Sequence, residues 1–102
     1  MLIDFHTHIF PEAIAARSVA ALEAGIRSIQ GADYRKGEAL AFRPATLDGL
    51  LDSMTIANVD RSVCLPIATK PSQTATINRY AETVRSARAL SFGSLHPADP
   101  EW

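Results

Sequence analysis

The order in which apolar patterns follow one another constrains this chain more than any other feature. Leu2-Ile3-Asp4-Phe5-His6 is apolar-rich and begins without a helical cap, which predicts a short strand from Leu2 to about His6. Phe10-Pro11 breaks it. Pro11 suits the first turn of a helix, Glu12 favours its positive end, and Ile14, Val19, Leu22 and Ile26 recur at roughly helical intervals, with Arg17 and Glu23 on the other face. Gly25 weakens the end of that helix. Gln30 to Pro44 sustains no period and predicts an irregular, mobile excursion. Thr46 can cap a second helix through Leu47, Leu50, Leu51, Met54 and Ala57, and Asn58 offers a left-handed stop. Val63 to Leu65, closed by Pro66, has the pattern of a strand covered on both faces. Ser72 or Thr74 can cap a third helix whose Ile77, Tyr80, Ala81 and Val84 share one side, while Arg79, Glu82 and Arg85 stay in water. Ala89 to Leu95 is the third strand.

Strands alternating with helices give an α/β class, with parallel strands joined by βαβ crossovers. A length of 102 residues leaves room for one domain, 1–102, and no more. Ten Lys+Arg against eleven Asp+Glu leave a net charge of −1, with no window of concentrated positive charge, so nucleic acid is not an expected partner. No basic segment precedes a long apolar one near Met1, and no run approaches the ~20 apolar residues of a membrane span. A soluble, cytoplasmic protein without membrane contact is expected. Cys64 is the single cysteine, which excludes an intrachain disulfide and a cysteine-based zinc site. Asp99-Pro100-Glu101-Trp102 has the composition of a helix start at the end of the chain. Three parallel strands also leave open sheet edges, so a truncated architecture, with self-association through those edges, is expected.

His6 and His8 stand two apart near a strand end, where both imidazoles face one side with Cα atoms roughly 6.5–7 Å apart. Two rings so spaced can reach one divalent metal, although further ligands are needed to hold it. In a parallel α/β protein the strand C-termini build the site, and the pair lies at such an end. Asp4 shares their period-two face and reads either as a carboxylate that orients the ligands or as a buried, hydrogen-bonded Asp. His96 ends the third strand and reads either as a substrate contact or as a turn-forming histidine bonded to backbone. Lys70 follows the second strand with Gln73; it can hold a substrate carboxylate or stay a solvated charge. Cys64, inside an apolar strand, reads as a core residue.

Ile3-Asp4-Phe5-His6-Thr7-His8-Ile9-Phe10-Pro11 resembles the opening of the amidohydrolase superfamily, nearest to its aminocarboxymuconate-semialdehyde decarboxylase-like branch. Thr46 to Met54, Val63 to Gln73 and Phe92 to Pro97 are similar to the early part of such proteins in order and spacing. The resemblance implies the first three or so β/α units of a (β/α)8 TIM barrel, truncated here. It also implies a metal-dependent hydrolase acting on a small amide- or carboxylate-bearing metabolite, with His6 and His8 as metal ligands and zinc, or else manganese, iron or nickel, as the ion. Later ligands and the catalytic Asp of the family have no counterpart in this sequence, so the catalytic residues are left unassigned. Two alternatives stand beside this: a nonoxidative decarboxylase of the same superfamily, and an inactive fragment that needs a partner chain. The histidinol-phosphatase-like group also opens with D-x-H-x-H, but Phe10-Pro11 replaces its usual Ser-Asp-Gly-like turn.

Overall fold

A computed structural model of the chain describes residues 1–31 and 44–101. The elements run β1 (Ile3–Thr7), α1 (Glu12–Gln30), α2 (Leu47–Ala57), β2 (Arg61–Cys64), a 3-10 turn (Pro71–Gln73), α3 (Thr74–Thr83) and β3 (Ala89–Ser91). The three strands form one parallel sheet in the order β1-β2-β3. The α/β class and the parallel pairing expected from the sequence are therefore present. Most of the irregular excursion expected over Gln30 to Pro44 lies outside the described residues, as does Trp102.

Helix boundaries follow local chemistry where a side chain can cap. The Thr46 hydroxyl accepts the Gly49 amide at 3.2 Å, and Asn58 ends α2 in the left-handed region at φ 54°. α1 begins one residue later than expected, with Pro11 at its cap, and runs through Gly25 to Gln30. Neither Ser72 nor Thr74 caps α3. Gln73 holds that position, and the Thr74 hydroxyl donates to the Pro71 carbonyl at 3.1 Å within the preceding 3-10 turn. The third strand is shorter than its apolar run, because only Ala89 to Ser91 is in register with β2.

Two apolar clusters fix the layers. Ile9, Cys64, Val84 and Ala89 are packed with Leu47, Leu50 and Tyr80. Phe10, Ala15 and Ile77 collect Ile14, Val19, Leu22 and Ile67. Of the helix faces expected from periodicity, Ile77 and Ala81 on α3, Val84 at its C-cap and Met54 on α2 are buried, Ile14, Val19, Leu22 and Ile26 on α1 are half-buried, and Ala57 is exposed. On the sheet, Ser62, Cys64 and Ala89 are buried, whereas Phe5 and Leu90 are exposed. None of the described helices is long and apolar enough to cross a membrane.

Candidate metal centre

A β-bulge builds the imidazole pair. Asp4 is in register with Ser62 and Thr7 with Cys64, so three steps along β1 match two along β2. The extra residue falls between Asp4 and Thr7, and it inverts the alternation of faces there. Asp4 consequently belongs with Ser62 and Thr7 with Cys64, and His6 and His8 belong to the opposite side. The expectation that Asp4 shares the histidines' face is corrected by this register. Asp4 is also exposed rather than buried, and its Oδ1 accepts the His6 amide at 3.0 Å. That bond supplies a partner to an amide at the bulge and holds the local bend.

Beyond the bulge the chain is tied down on both sides of the pair. The Thr7 hydroxyl lies 3.1 Å from the Val63 carbonyl and donates to it. The Leu65 amide donates to the Thr7 carbonyl at 2.8 Å, extending the β1–β2 ladder past the end of β2. Ile9 and Phe10 then enter the core, 4% and 1% exposed, and the Phe10 amide donates to the Ala45 carbonyl at 2.8 Å.

The two rings meet edge to face, at 83° with centroids 4.8 Å apart, and their Nε2 atoms are 3.0 Å from each other. His8 Nδ1 sits 2.6 Å from the Leu65 carbonyl. A carbonyl can only accept, so His8 donates through Nδ1, and the 3.0 Å approach of the two Nε2 atoms is itself a hydrogen bond between the rings. Two imidazole nitrogens on one zinc ion, at bonds of about 2.0–2.1 Å, stand roughly 2.8–3.4 Å apart for angles between about 90° and 110°. The observed Nε2 separation lies inside that range. A ring N–H given to a backbone carbonyl is also the usual support for a metal-binding histidine. The donor chemistry of the pair thus fits a divalent ion, and both side chains are exposed to receive one. Among the described residues no group of three or more His, Cys, Asp or Glu side chains converges to complete a coordination sphere.

Neither of the other expected site residues, His96 and Lys70, makes a hydrogen bond or ring contact with the pair. His96 Nδ1 accepts the Ala98 amide at 3.1 Å and its carbonyl accepts the Asp99 amide at 2.9 Å, the backbone-bonded turn of its second reading. Lys70 is exposed at the start of the 3-10 turn and lines a cleft with residues of α1. Cys64 is fully buried. Burial pushes its thiol up from 9.0, the Thr7 hydroxyl bond lowers it, and the Asp4 charge raises it, with burial the largest effect. A buried thiol held in its neutral form is a core group.

The Leu65 carbonyl had no sequence signal, since a backbone group is selected by register alone. The bulge had only the D-x-H spacing as a trace. Together, fold and pair define an α/β protein whose parallel sheet presents two convergent imidazoles at the C-terminal end of an edge strand. Compared with known proteins, the chain matches no family model, no curated protein and no solved structure.

Proposed function

We propose that His6 and His8 are two ligands of a divalent metal centre, zinc first among the candidates, in a metal-dependent hydrolase acting on a small amide- or carboxylate-bearing metabolite. The observation that carries the metal is the approach of the two Nε2 atoms to 3.0 Å while the Leu65 carbonyl holds the far nitrogen of His8. The reaction class rests on the resemblance of Ile3 to Pro11 to the amidohydrolase superfamily, and a (β/α)8 barrel belongs to the same reading. His6 and His8 would hold the ion, which would supply Lewis acidity at the end of β1.

The chain's own part is positional. His6 and His8 offer the nitrogens, the Leu65 carbonyl accepts from His8 Nδ1, and the Asp4 carboxylate accepts the His6 amide. Two imidazoles alone hold an ion weakly, so a catalytic centre requires donors beyond this pair.

The test is a zinc titration of the purified chain followed by the ring resonances of its three histidines. The His6 and His8 signals are expected to move together, and those of His96 to stay. His6→Ala is expected to abolish the response of His8, and His8→Ala that of His6. Unmoved His6 and His8 signals at millimolar zinc, or equal movement of all three histidines, overturns the metal reading.

A further inference from the structure

A second cluster of polar groups lies away from the imidazole pair. Arg17, Ser18 and Ala21 on one turn of α1 face Thr69, Lys70 and Gln73 across an open cleft of about 270 Å³. Three features of this cleft agree. Ser18 is 2% exposed, yet its Oγ has no hydrogen-bond partner, an uncommon condition for a buried hydroxyl. The Gln73 Oε1 already accepts both the Thr69 amide at 3.0 Å and the Thr69 hydroxyl at 2.7 Å. Those two bonds fix the amide's orientation and leave its NH2 group to donate. Arg17 and Lys70 bring two positive charges, and among the described residues no carboxylate lines the cleft.

The polar capacity left over is thus one of donors: a guanidinium, an ammonium, a side-chain amide and an orphaned hydroxyl. Such a set complements an oxyanion, with the guanidinium able to grip two oxygens at once. Ala21 keeps that wall of the cleft free of a bulky side chain. We propose that Arg17, Ser18, Lys70 and Gln73 form a binding site for the oxyanion group of a small metabolite, a carboxylate or a phosphoryl group. It shares no residue with His6 and His8, so its failure would leave the metal reading untouched and the reverse also holds.

The experiment is a titration of the amide-resolved NMR spectrum of the whole chain at low ionic strength, once with inorganic phosphate and once with malonate. Saturable shifts are expected at Arg17, Ser18 and the Thr69 to Gln73 amides. Tighter binding of phosphate assigns the site to phosphoryl groups, and tighter binding of malonate assigns it to carboxylates. Lys70→Gln, at an exposed position expected to leave folding intact, and Arg17→Gln are each expected to weaken binding about tenfold or more. Ser18→Ala separates a ligand role from a structural one: loss of an orphaned hydroxyl from the core leaves anion affinity unchanged, whereas loss of a donor to the anion lowers it several-fold. Linear, unsaturable shifts with both anions overturn the proposal, as does saturable binding that survives Arg17→Gln and Lys70→Gln unchanged.

Discussion

Replacing Gly49 by Ala sets helix propensity against tertiary packing, and the two forecast opposite signs. Ala is better than Gly inside a helix by about 1 kcal/mol, and Gly49 lies in the first turn of α2 without a positive φ. Propensity alone therefore predicts stabilisation. The structure predicts the reverse, because a Cβ at position 49 would collide with the Pro44 carbonyl oxygen, inside the 3.0 Å under which real Cβ atoms essentially never approach. Backbone must give way. The groups that would move are the Thr46 cap, already at 3.2 Å from the Gly49 amide, and Ala45, whose carbonyl accepts from Phe10. Losing the cap costs about 1 kcal/mol. Weakening the Phe10 bond inside the core costs about 1–3 kcal/mol. Set against the propensity gain, the net loss is roughly 1–3 kcal/mol, or about 5–20 °C in Tm for a domain of this size. Gly25→Ala is the matched control: nothing lies within 4 Å of its added Cβ, and a gain of up to ~1 kcal/mol is expected. Urea unfolding followed by circular dichroism reads both. A Gly49→Ala midpoint at or above that of the parent refutes the close approach.

Three further outcomes follow from Asn78, which holds the loops after β2 and β3, and from Cys64, buried in β2. Asn78 binds Ser94 twice, its Nδ2 donating to the carbonyl at 3.0 Å and its Oδ1 accepting the amide at 2.7 Å, and the Ser94 hydroxyl in turn accepts the Ala68 amide at 3.2 Å. Asn78→Ala is expected to lower the unfolding free energy by about 1–3 kcal/mol, and an unchanged urea midpoint would contradict this. Cys64 is expected to react with iodoacetamide at least about tenfold more slowly in the native chain than in urea, as mass spectrometry of timed samples will show. Its raised pKa also carries a sign. An unfolded thiol releases its proton near 9.0 and the native one higher, so above 9.0 the unfolded state binds fewer protons and stability falls as pH rises. Cys64→Ala should remove that part of the alkaline loss, visible as a smaller drop in urea midpoint between pH 8 and pH 10 than the parent shows.

The elements that could be read in advance are those governed by neighbours in sequence. Ile77, Ala81 and Val84 recur at three- and four-residue steps, and the same residues are buried along α3 and at its C-cap. Thr46 and Asn58 bound α2 because a hydroxyl three residues before an amide, and an asparagine tolerant of positive φ, act locally. Where the reading missed, a distant partner intervened. Ala89 to Leu95 has strand composition throughout, but β2 is in register only with Ala89, Leu90 and Ser91, and one further bond runs from the Phe92 amide to the Cys64 carbonyl. Thr74 has a capping side chain, yet the 3-10 turn from Pro71 places it inside the helix.

The candidate site divides along the same line. The sequence by itself determined that two imidazoles stand two residues apart near the end of a strand, since spacing and apolar pattern are properties of the chain. It also determined that Cys64 is a core residue. Only the tertiary structure decided that Asp4 leaves the histidines' face, because the bulge exists in the register between β1 and β2 and nowhere in β1 alone. Only the structure gave His8 Nδ1 its acceptor, a carbonyl on Leu65, 57 residues away. Lys70 likewise acquired Arg17 and Ser18 as neighbours from the packing of α1 beside the turn at Pro71. Local periodicity depends on steric and hydrogen-bonding rules within a few residues, whereas the direction in which a side chain finally points depends on which backbone is paired beside it.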